Sequence, residues 1–188
     1  MKKVLLIIVV GAFAVSTAMA GQGIYEKAGD RAEIKKDKKE INQTMATYDL
    51  LSHTVDLWHD ANLKGIGARI AKYDKEIVDI AKNDIRTSEA HLAQYRSEVG
   101  RSKAEANRPH VTRFGKADDR ADLRDDRHDL EQARTITQIK RRLIDSYDKS
   151  DQFSNKYRLI NDYLAVLKRE LKSHQVELAE DVRELREH

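Results

Sequence analysis

The sequence predicts an all-α protein of two long helical hairpins, arranged as an elongated four-helix bundle or as coiled-coil arms. Apolar residues recur at steps of three, four and seven along four segments. The chain is 36% Asp, Glu, Lys and Arg, with a single proline and 6% aromatic residues. This composition with helical periodicity is typical of long, solvent-rich helices. A third observation, a charged string that occurs twice, indicates that the hairpin is duplicated.

The first twenty residues have the layout of a secretory signal peptide. Lys2 and Lys3 form a basic start, residues 4–15 are almost wholly apolar, and Ala18-Met19-Ala20 is a small-residue cleavage pattern. The apolar run of about twelve residues is shorter than the roughly twenty that a membrane span requires. We therefore expect residues 1–20 to be removed, leaving no stable membrane span and a periplasmic or secreted protein.

Charge and cysteine content exclude several classes of partner and linkage. Without residues 1–20 the chain keeps 33 basic and 32 acidic residues, so its net charge is close to neutral and gives no indication of nucleic-acid binding. The sequence contains no cysteine, which excludes disulfides, a lipid-modified N-terminal cysteine and cysteine-linked haem.

The first hairpin is predicted over residues 30–99, after a flexible arm at 21–29. Its first helix should run from about Asp30 to Asn62, and Gly65 and Gly67 mark the break that follows. The heptad positions of this helix are Ile34, Ile41, Tyr48 and Val55. The second helix follows a spacing that averages close to 3.6. Its apolar face comprises Ile66, Ile70, Tyr73, Ile77, Ala81, Ile85, Ser88, Leu92, Tyr95 and Val99.

The second hairpin is predicted over residues 116–188, after a linker at 100–115 that contains Pro109. Its first helix should run from about Ala117 to Tyr147, on Leu123, Leu130, Ala133, Ile136, Leu143 and Tyr147. The last helix has the most regular spacing and should extend almost to the C-terminus. Its seam comprises Tyr157, Ile160, Leu164, Leu167, Leu171, His174, Leu178 and Leu185.

A charged string opens each hairpin. KAGDRAEIKKDKKEINQ at residues 27–43 returns 89 residues later as KADDRADLRDDRHDLEQ at 116–132. Seven positions are identical and six more keep the kind of side chain, in one register, which indicates an internal duplication.

The duplicated string is predicted to be a pairing interface. With Ile34, Ile41, Leu123 and Leu130 at the a positions of a heptad, basic residues occupy e and acidic residues occupy g, an arrangement that attracts parallel helices. The string should therefore pair with its own copy, in the same chain or in a second chain of a homo-oligomer. The charged members are Arg31, Lys38, Glu33, Glu40, Arg120, Arg127, Asp122 and Asp129.

Two sets of residues are candidate metal ligands. Asp30, Asp37, Asp119 and Asp126 fall at d positions, where an unpaired buried carboxylate is costly. That end should be open and hydrated, or the carboxylates should converge on a divalent cation such as calcium. Asp56 with His59, and Asp125 with His128, have the i, i+3 spacing of half a di-metal bundle site. The alternative for both sets is a solvated helix face.

No catalytic motif occurs, so the sequence predicts no catalytic residue, no cofactor and no enzyme. We expect an exported, non-enzymatic coiled-coil protein that acts through protein–protein interaction or self-association in the bacterial envelope. Two alternatives stay open. The layout of a signal peptide and long charged helical arms resembles that of the trimeric, jellyfish-shaped periplasmic chaperones, which implies a holding chaperone. The Asp and His positions allow a divalent-metal-binding bundle.

Overall fold

The computed structural model describes residues 24–107 and 115–187, and these residues form four long helices. The helices are α1 (Ile24–Leu63), α2 (Gly67–Ala106), α3 (Gly115–Asp148) and α4 (Phe153–Glu187). No strand occurs in the described residues. The predicted all-α class with two helical hairpins is confirmed. Residues 1–20, the predicted signal peptide, and Pro109 lie outside the described residues.

Two helix ends differ from the predicted boundaries. Helix α1 begins at Ile24, within the segment predicted to be an arm, and α2 continues to Ala106, well into the predicted linker. Helix α2 passes through Gly100 because one exposed glycine costs a helix only about 1 kcal/mol, which the flanking turns offset. The helices are therefore longer than the glycine positions indicated, and α1 and α2 each extend about 60 Å at 1.5 Å per residue.

A glycine-closed turn joins α1 to α2. The amide of Ile66 donates to the carbonyl of Ala61 at 3.0 Å, and the amide of Gly65 donates to the carbonyl of Asn62 at 3.0 Å. These two bonds form the Schellman arrangement, which requires a left-handed residue after the helix. Gly65 supplies it with a φ of 66°. The predicted break at this position therefore has a specific geometry, which returns α2 alongside α1.

The helices form an up-down-up-down bundle. Helix α1 packs against α2 and α4, and α3 packs against the same two helices. Helices α1 and α3 occupy opposite corners, and their backbones do not approach each other closely within the described residues. Both hairpin turns lie at one end of the bundle. The starts of α1 and α3 lie at the other end, together with the ends of α2 and α4.

The interior divides into two halves of different character. We call residues 45–85 and 141–167 the turn half, since they surround the hairpin turns. The rest of the bundle, residues 31–44, 86–107, 115–140 and 168–187, is the polar half. One continuous cluster fills the turn half, formed by Leu51, Val55, Trp58, Ile77, Val78, Ala81, Ile85, Ile144, Tyr147, Ile160, Tyr163 and Leu167.

Aromatic packing closes the turn half. The Trp58 ring lies 4.5 Å from the ring of Phe153 and 6.0 Å from that of Tyr147, measured between centroids. The Tyr147 hydroxyl donates to Asp74 Oδ1 at 2.8 Å, and Lys156 Nζ lies 2.7 Å from Asp74 Oδ2. Large aromatic side chains thus fill this half, with the Tyr147 hydroxyl partnered and the Trp58 indole N–H buried without a hydrogen-bond acceptor among the described residues.

Candidate functional site

A buried lysine marks the boundary between the two halves. The Lys140 side chain on α3 is only 1% exposed. Its Nζ lies 2.9 Å from Asp84 Oδ2 on α2 and 2.6 Å from Glu170 Oε2 on α4, and it donates to Ser88 Oγ at 3.1 Å. The Tyr163 hydroxyl lies 2.8 Å from Asp84 Oδ2. Charges from three helices are therefore paired in one buried layer.

This layer favours a single alignment of the helices. A buried ion pair contributes little net stability, because removing both charges from water costs about as much as their attraction returns. An unpaired charge at the same depth is strongly destabilising. Any register in which Lys140 missed Asp84 and Glu170 would leave such a charge, so the layer disfavours sliding of α3 against its neighbours.

His174 on α4 lies one layer further into the polar half, between two carboxylates. Its Nδ1 is 3.3 Å from Glu177 Oε2 and 3.6 Å from Glu40 Oε2 of α1. Glu40 is 3% exposed, and its Oε2 atom accepts no hydrogen bond within the described residues. Between this layer and Lys140 lies a small cavity of about 40 Å³, lined in part by His91 and Thr137. Its volume suits a water molecule.

Burial and neighbouring charges shift the pKa values of the ionisable side chains in this layer. Burial lowers the pKa of His174, but the hydrogen bond and charge of Glu177, with the charges of Glu40 and Glu170, outweigh it and raise the pKa above its usual value. The same hydrogen bond lowers the pKa of Glu177, whereas burial raises the pKa of Glu40. The neighbouring carboxylates from two helices thus favour the protonated form of His174.

The open end of the polar half is an acidic groove. Asp37 is 8% exposed, and burial raises its pKa to about 6, with the charges of Glu177 and Glu40 acting in the same direction. Lys36 pairs with Glu98 at 3.1 Å. Asp37, Lys36 and Glu98 line a groove of about 480 Å³. Its carboxylates are Asp37, Glu98, Glu105, Asp122, Asp125, Asp126, Asp129, Glu177 and Asp181, against two bases, Lys36 and Arg101.

The structure brings some of the predicted metal ligands together. Asp37, Asp125 and Asp126 line the acidic groove, where Asp126 accepts a hydrogen bond from Ser102. Asp119 is half-buried, and the side chain of Asp30 lies outside the described residues. In the part of the chain that the structure describes, no three His, Asp or Glu side chains are arranged to hold a metal ion.

The two predicted carboxylate–histidine pairs are separate from each other. Asp56 is exposed, and His59 lies against the Tyr157 ring at 4.9 Å between centroids. Asp125 and His128 are exposed on α3, and the Nε2 atoms of His128 and Gln132 are 2.7 Å apart. The sequence spacing is therefore present, but each pair lies on the surface of its own helix.

The predicted pairing residues lie on two helices at opposite corners. Parallel helices occupy the diagonal of an up-down-up-down bundle, and the described backbones of α1 and α3 do not approach each other closely. Pairing of the duplicated string, within one chain or between two chains, stays a prediction. Ile34, Leu130 and Glu40 are buried, and Ile41 and Leu123 are half-buried. Arg31, Lys38, Arg120, Arg127, Asp122 and Asp129 are exposed, and the Glu33 side chain is outside the described residues.

A second groove, about 560 Å³ in volume, runs between α3 and α4 along the polar half and reaches Val166 at the edge of the turn half. These two helices pack less closely than any other neighbouring pair. Ile136, Ile139, Val166 and Val176 supply apolar surface, with Ile139 38% and Val176 50% exposed. The charged side chains of this α3–α4 groove are Asp129, Arg169, Lys172, Glu177 and Glu180, with His128 beside them.

Sequence reasoning missed the Lys140 layer, although a signal for it existed. Lys140 follows Ile136 by four residues and precedes Leu143 by three, so it occupies a seam position of α3. Asp84 follows Ala81 by three in the same way on α2. A charged residue at seam spacing, with candidate partners of opposite charge at seam positions of other helices, is therefore a sequence signal for a buried ion pair.

Comparison of the chain with protein-family models, curated proteins and solved structures finds no match. Among the described helices, none combines the length and apolar character needed to cross a bilayer. The two grooves and the buried polar layers are therefore the features of the bundle that bear on its function.

Proposed function

We propose that this chain is an exported, non-enzymatic helical-bundle protein that acts through protein–protein interaction or self-association in the bacterial envelope, in the periplasm or secreted. Export is inferred from the signal-peptide pattern of residues 1–20. The interaction role rests on one observation, the α3–α4 groove, in which Ile139 and Val176 are open to solvent between charged rims.

The groove supports an interaction role because of its position on a highly charged molecule. Contiguous apolar surface bordered by polar residues is the common form of a helix-binding site. The turn half is a closed, filled core, so the exposed apolar side chains of the groove are not a continuation of it. Charged groups inside the bundle pair with one another across helices, as Lys140 does with Asp84 and Glu170, which favours a structural role for them.

Site-specific photo-crosslinking in bacterial cells tests this proposal. A photoreactive residue at Val176 samples the groove, and the same residue at Leu50 of α1 is a matched control, since the two positions are 50% and 53% exposed. We expect a protein adduct at Val176 and none at Leu50. Adducts at neither position, or equal adducts at both, would contradict a groove-based interaction. Recovery of the product in the envelope fraction, shortened by residues 1–20, tests export.

A further inference from the structure

The rim of the α3–α4 groove carries a charge pattern that is complementary to itself. Lys172, Val176 and Glu180 follow one another at steps of four on α4, and all three are exposed. Steps of four keep side chains on one helical face. This face therefore presents a base, an apolar side chain and an acid in order along the groove.

The other charged residues of the α3–α4 groove are separated in the same way, with bases at one end and acids at the other. Arg169 joins Lys172 towards the middle of the bundle, whereas Asp129 and Glu177 join Glu180 towards the open end. A partner that covers the apolar floor must present acidic groups to the basic end of the groove, near Arg169 and Lys172. It must present basic groups to the acidic end, near Glu180. A second copy of this chain does so if its α4 runs in the opposite direction.

We infer that two copies of this chain form a two-fold symmetric dimer in which α4 of each copy lies antiparallel to α4 of the other across the α3–α4 groove. This inference rests on the proposed interaction role and names the partner. With the axis at Val176, each Lys172 lies opposite Glu180 of the other copy, and the two Val176 side chains meet. One contact is thus made twice, as in every isologous interface.

The opposite orientation is disfavoured by charge. A parallel arrangement of the two α4 helices would place Lys172 against Lys172 and Glu180 against Glu180, with like charges at both ends of the contact. The antiparallel arrangement also covers the exposed part of Ile139, which lines the groove on α3. Helix α4 has 35 residues and extends about 50 Å, long enough to contribute to an interface of the usual 1,200–2,000 Å².

Charge reversal on the full chain, purified from the envelope fraction, tests the dimer. Lys172→Glu and Glu180→Lys each turn both symmetric ion pairs into repulsions, so each variant alone should raise the dimer Kd by roughly tenfold or more. Mixing the two variants should restore association as a one-to-one heterodimer, since each supplies the charge the other lacks. The double variant should dimerise with itself. Light scattering and native mass spectrometry measure these states.

A matched pair of variants controls for folding. Val176→Asp should give a monomer, whereas Leu50→Asp, at an equally exposed apolar site on α1, should leave the dimer intact; circular dichroism should be unchanged in both. A monomeric unmodified chain overturns the inference, as does dimerisation of the single charge variants or failure of their mixture to pair. If Val176 then crosslinks to a different protein in cells, the proposed function stands and only the self-pairing is wrong. If Val176 forms no adduct with any protein, both the proposed function and the self-pairing are contradicted.

Discussion

The two halves of this bundle share one helical periodicity but fill it with different chemistry. Twelve residues, apolar except for the hydroxyls of two tyrosines and the indole N–H of Trp58, form the continuous core of the turn half. In the polar half the buried apolar residues are Ile34, Leu92 and Leu130. The buried polar residues around them are Asp37, Glu40, Thr44, Ser88, Thr137, Lys140 and His174.

The difference shows how one molecule can separate stability from adaptability. Apolar burial stabilises by roughly 25 cal/mol per Å² and does not depend on pH. Buried ionisable groups give little net stability, but their contribution depends on partners and on protonation. The turn half should therefore be the last part to open, and the polar half, which carries both grooves, the first to respond to its surroundings.

The largest effect is expected at the boundary of the halves. Lys140→Met leaves Asp84 and Glu170 buried without their cation, which should lower the free energy of unfolding by about 3–5 kcal/mol. Arg141, the next residue, makes an exposed ion pair with Glu89. Arg141→Met should therefore cost less than about 1 kcal/mol. Chemical denaturation followed by circular dichroism measures both.

A variant that removes all three buried charges distinguishes the loss of charge pairing from the loss of packing at Lys140. Adding Asp84→Leu and Glu170→Leu to Lys140→Met removes all three charges, and the Tyr163 hydroxyl keeps the carbonyl of Ala81 at 3.1 Å as an acceptor. We expect the triple variant to recover most of the lost stability. A triple variant as unstable as Lys140→Met would show that packing, and not the unpaired carboxylates, explains the loss.

The next effect compares the same substitution in each half. Leu51, in the turn half, is fully buried, and Leu92, in the polar half, is 8% exposed. Leu51→Ala should cost about 4 kcal/mol, and Leu92→Ala about 2 kcal/mol, because looser polar surroundings adjust to the missing methyl groups. Equal losses in the two variants would mean that the halves are equally tightly packed.

A smaller effect is the pH dependence of stability, which arises from the buried ionisable groups of the polar half. The folded-state pKa of Asp37, about 6, is above its usual value of 3.8, so protonation favours the folded state. Its stabilising contribution is complete below pH 3.8 and is lost as pH rises through about 6. The raised pKa of His174 acts in the same direction, whereas the lowered pKa of Glu177 removes stability only in stronger acid.

Asp37→Asn tests this linkage. Between about pH 5 and pH 8 the unmodified chain should lose about 1 kcal/mol of stability through Asp37, and the variant should lose that much less. Asp56→Asn, at an exposed position of the turn half, is the control and should leave the pH profile as it is. Parallel profiles for the Asp37 variant and the unmodified chain would rule out Asp37 as a source of the dependence.

The smallest effects concern two glycines, one in each half. Gly65 has a φ of 66°, so Gly65→Ala should destabilise the turn by about 1 kcal/mol. Gly100 is helical and no atom lies within 4 Å of an added Cβ, so Gly100→Ala should stabilise α2 by about 0.5–1 kcal/mol. Thermal unfolding measures the change in stability of each variant. Shifts of the same sign in the two melting temperatures would contradict the backbone conformations assigned to Gly65 and Gly100.

The sequence predicted the helices because apolar spacing is a local property. Val55 and Ile77 were placed in seams by steps of three, four or seven, and both are buried. Glu40 was assigned to a helix flank, yet it is buried near His174 of α4. The heptad register of α1 alone does not reveal that α4 lies beside it, because the neighbours of a helix are decided by the assembled bundle.

The candidate sites were harder to predict for the same reason. Asp37 and Asp126 lie 89 residues apart in equivalent copies of the string and line one groove, although the described backbones of α1 and α3 lie at opposite corners of the bundle. The α3–α4 groove arises from looser packing between two helices, which leaves Val176 exposed. A gap of this kind depends on side-chain volumes across an interface and has no periodic signature in either helix.

The position of Trp58 gives the molecule an optical reporter for one half alone. It is the single tryptophan in 188 residues, it is 1% exposed, and it lies among aromatic rings of the turn half. Its fluorescence therefore follows the solvation of that half, whereas far-ultraviolet ellipticity averages over every helix. Unfolding curves from the two signals should separate if the grooved half opens first, with loss of ellipticity preceding the red shift of Trp58.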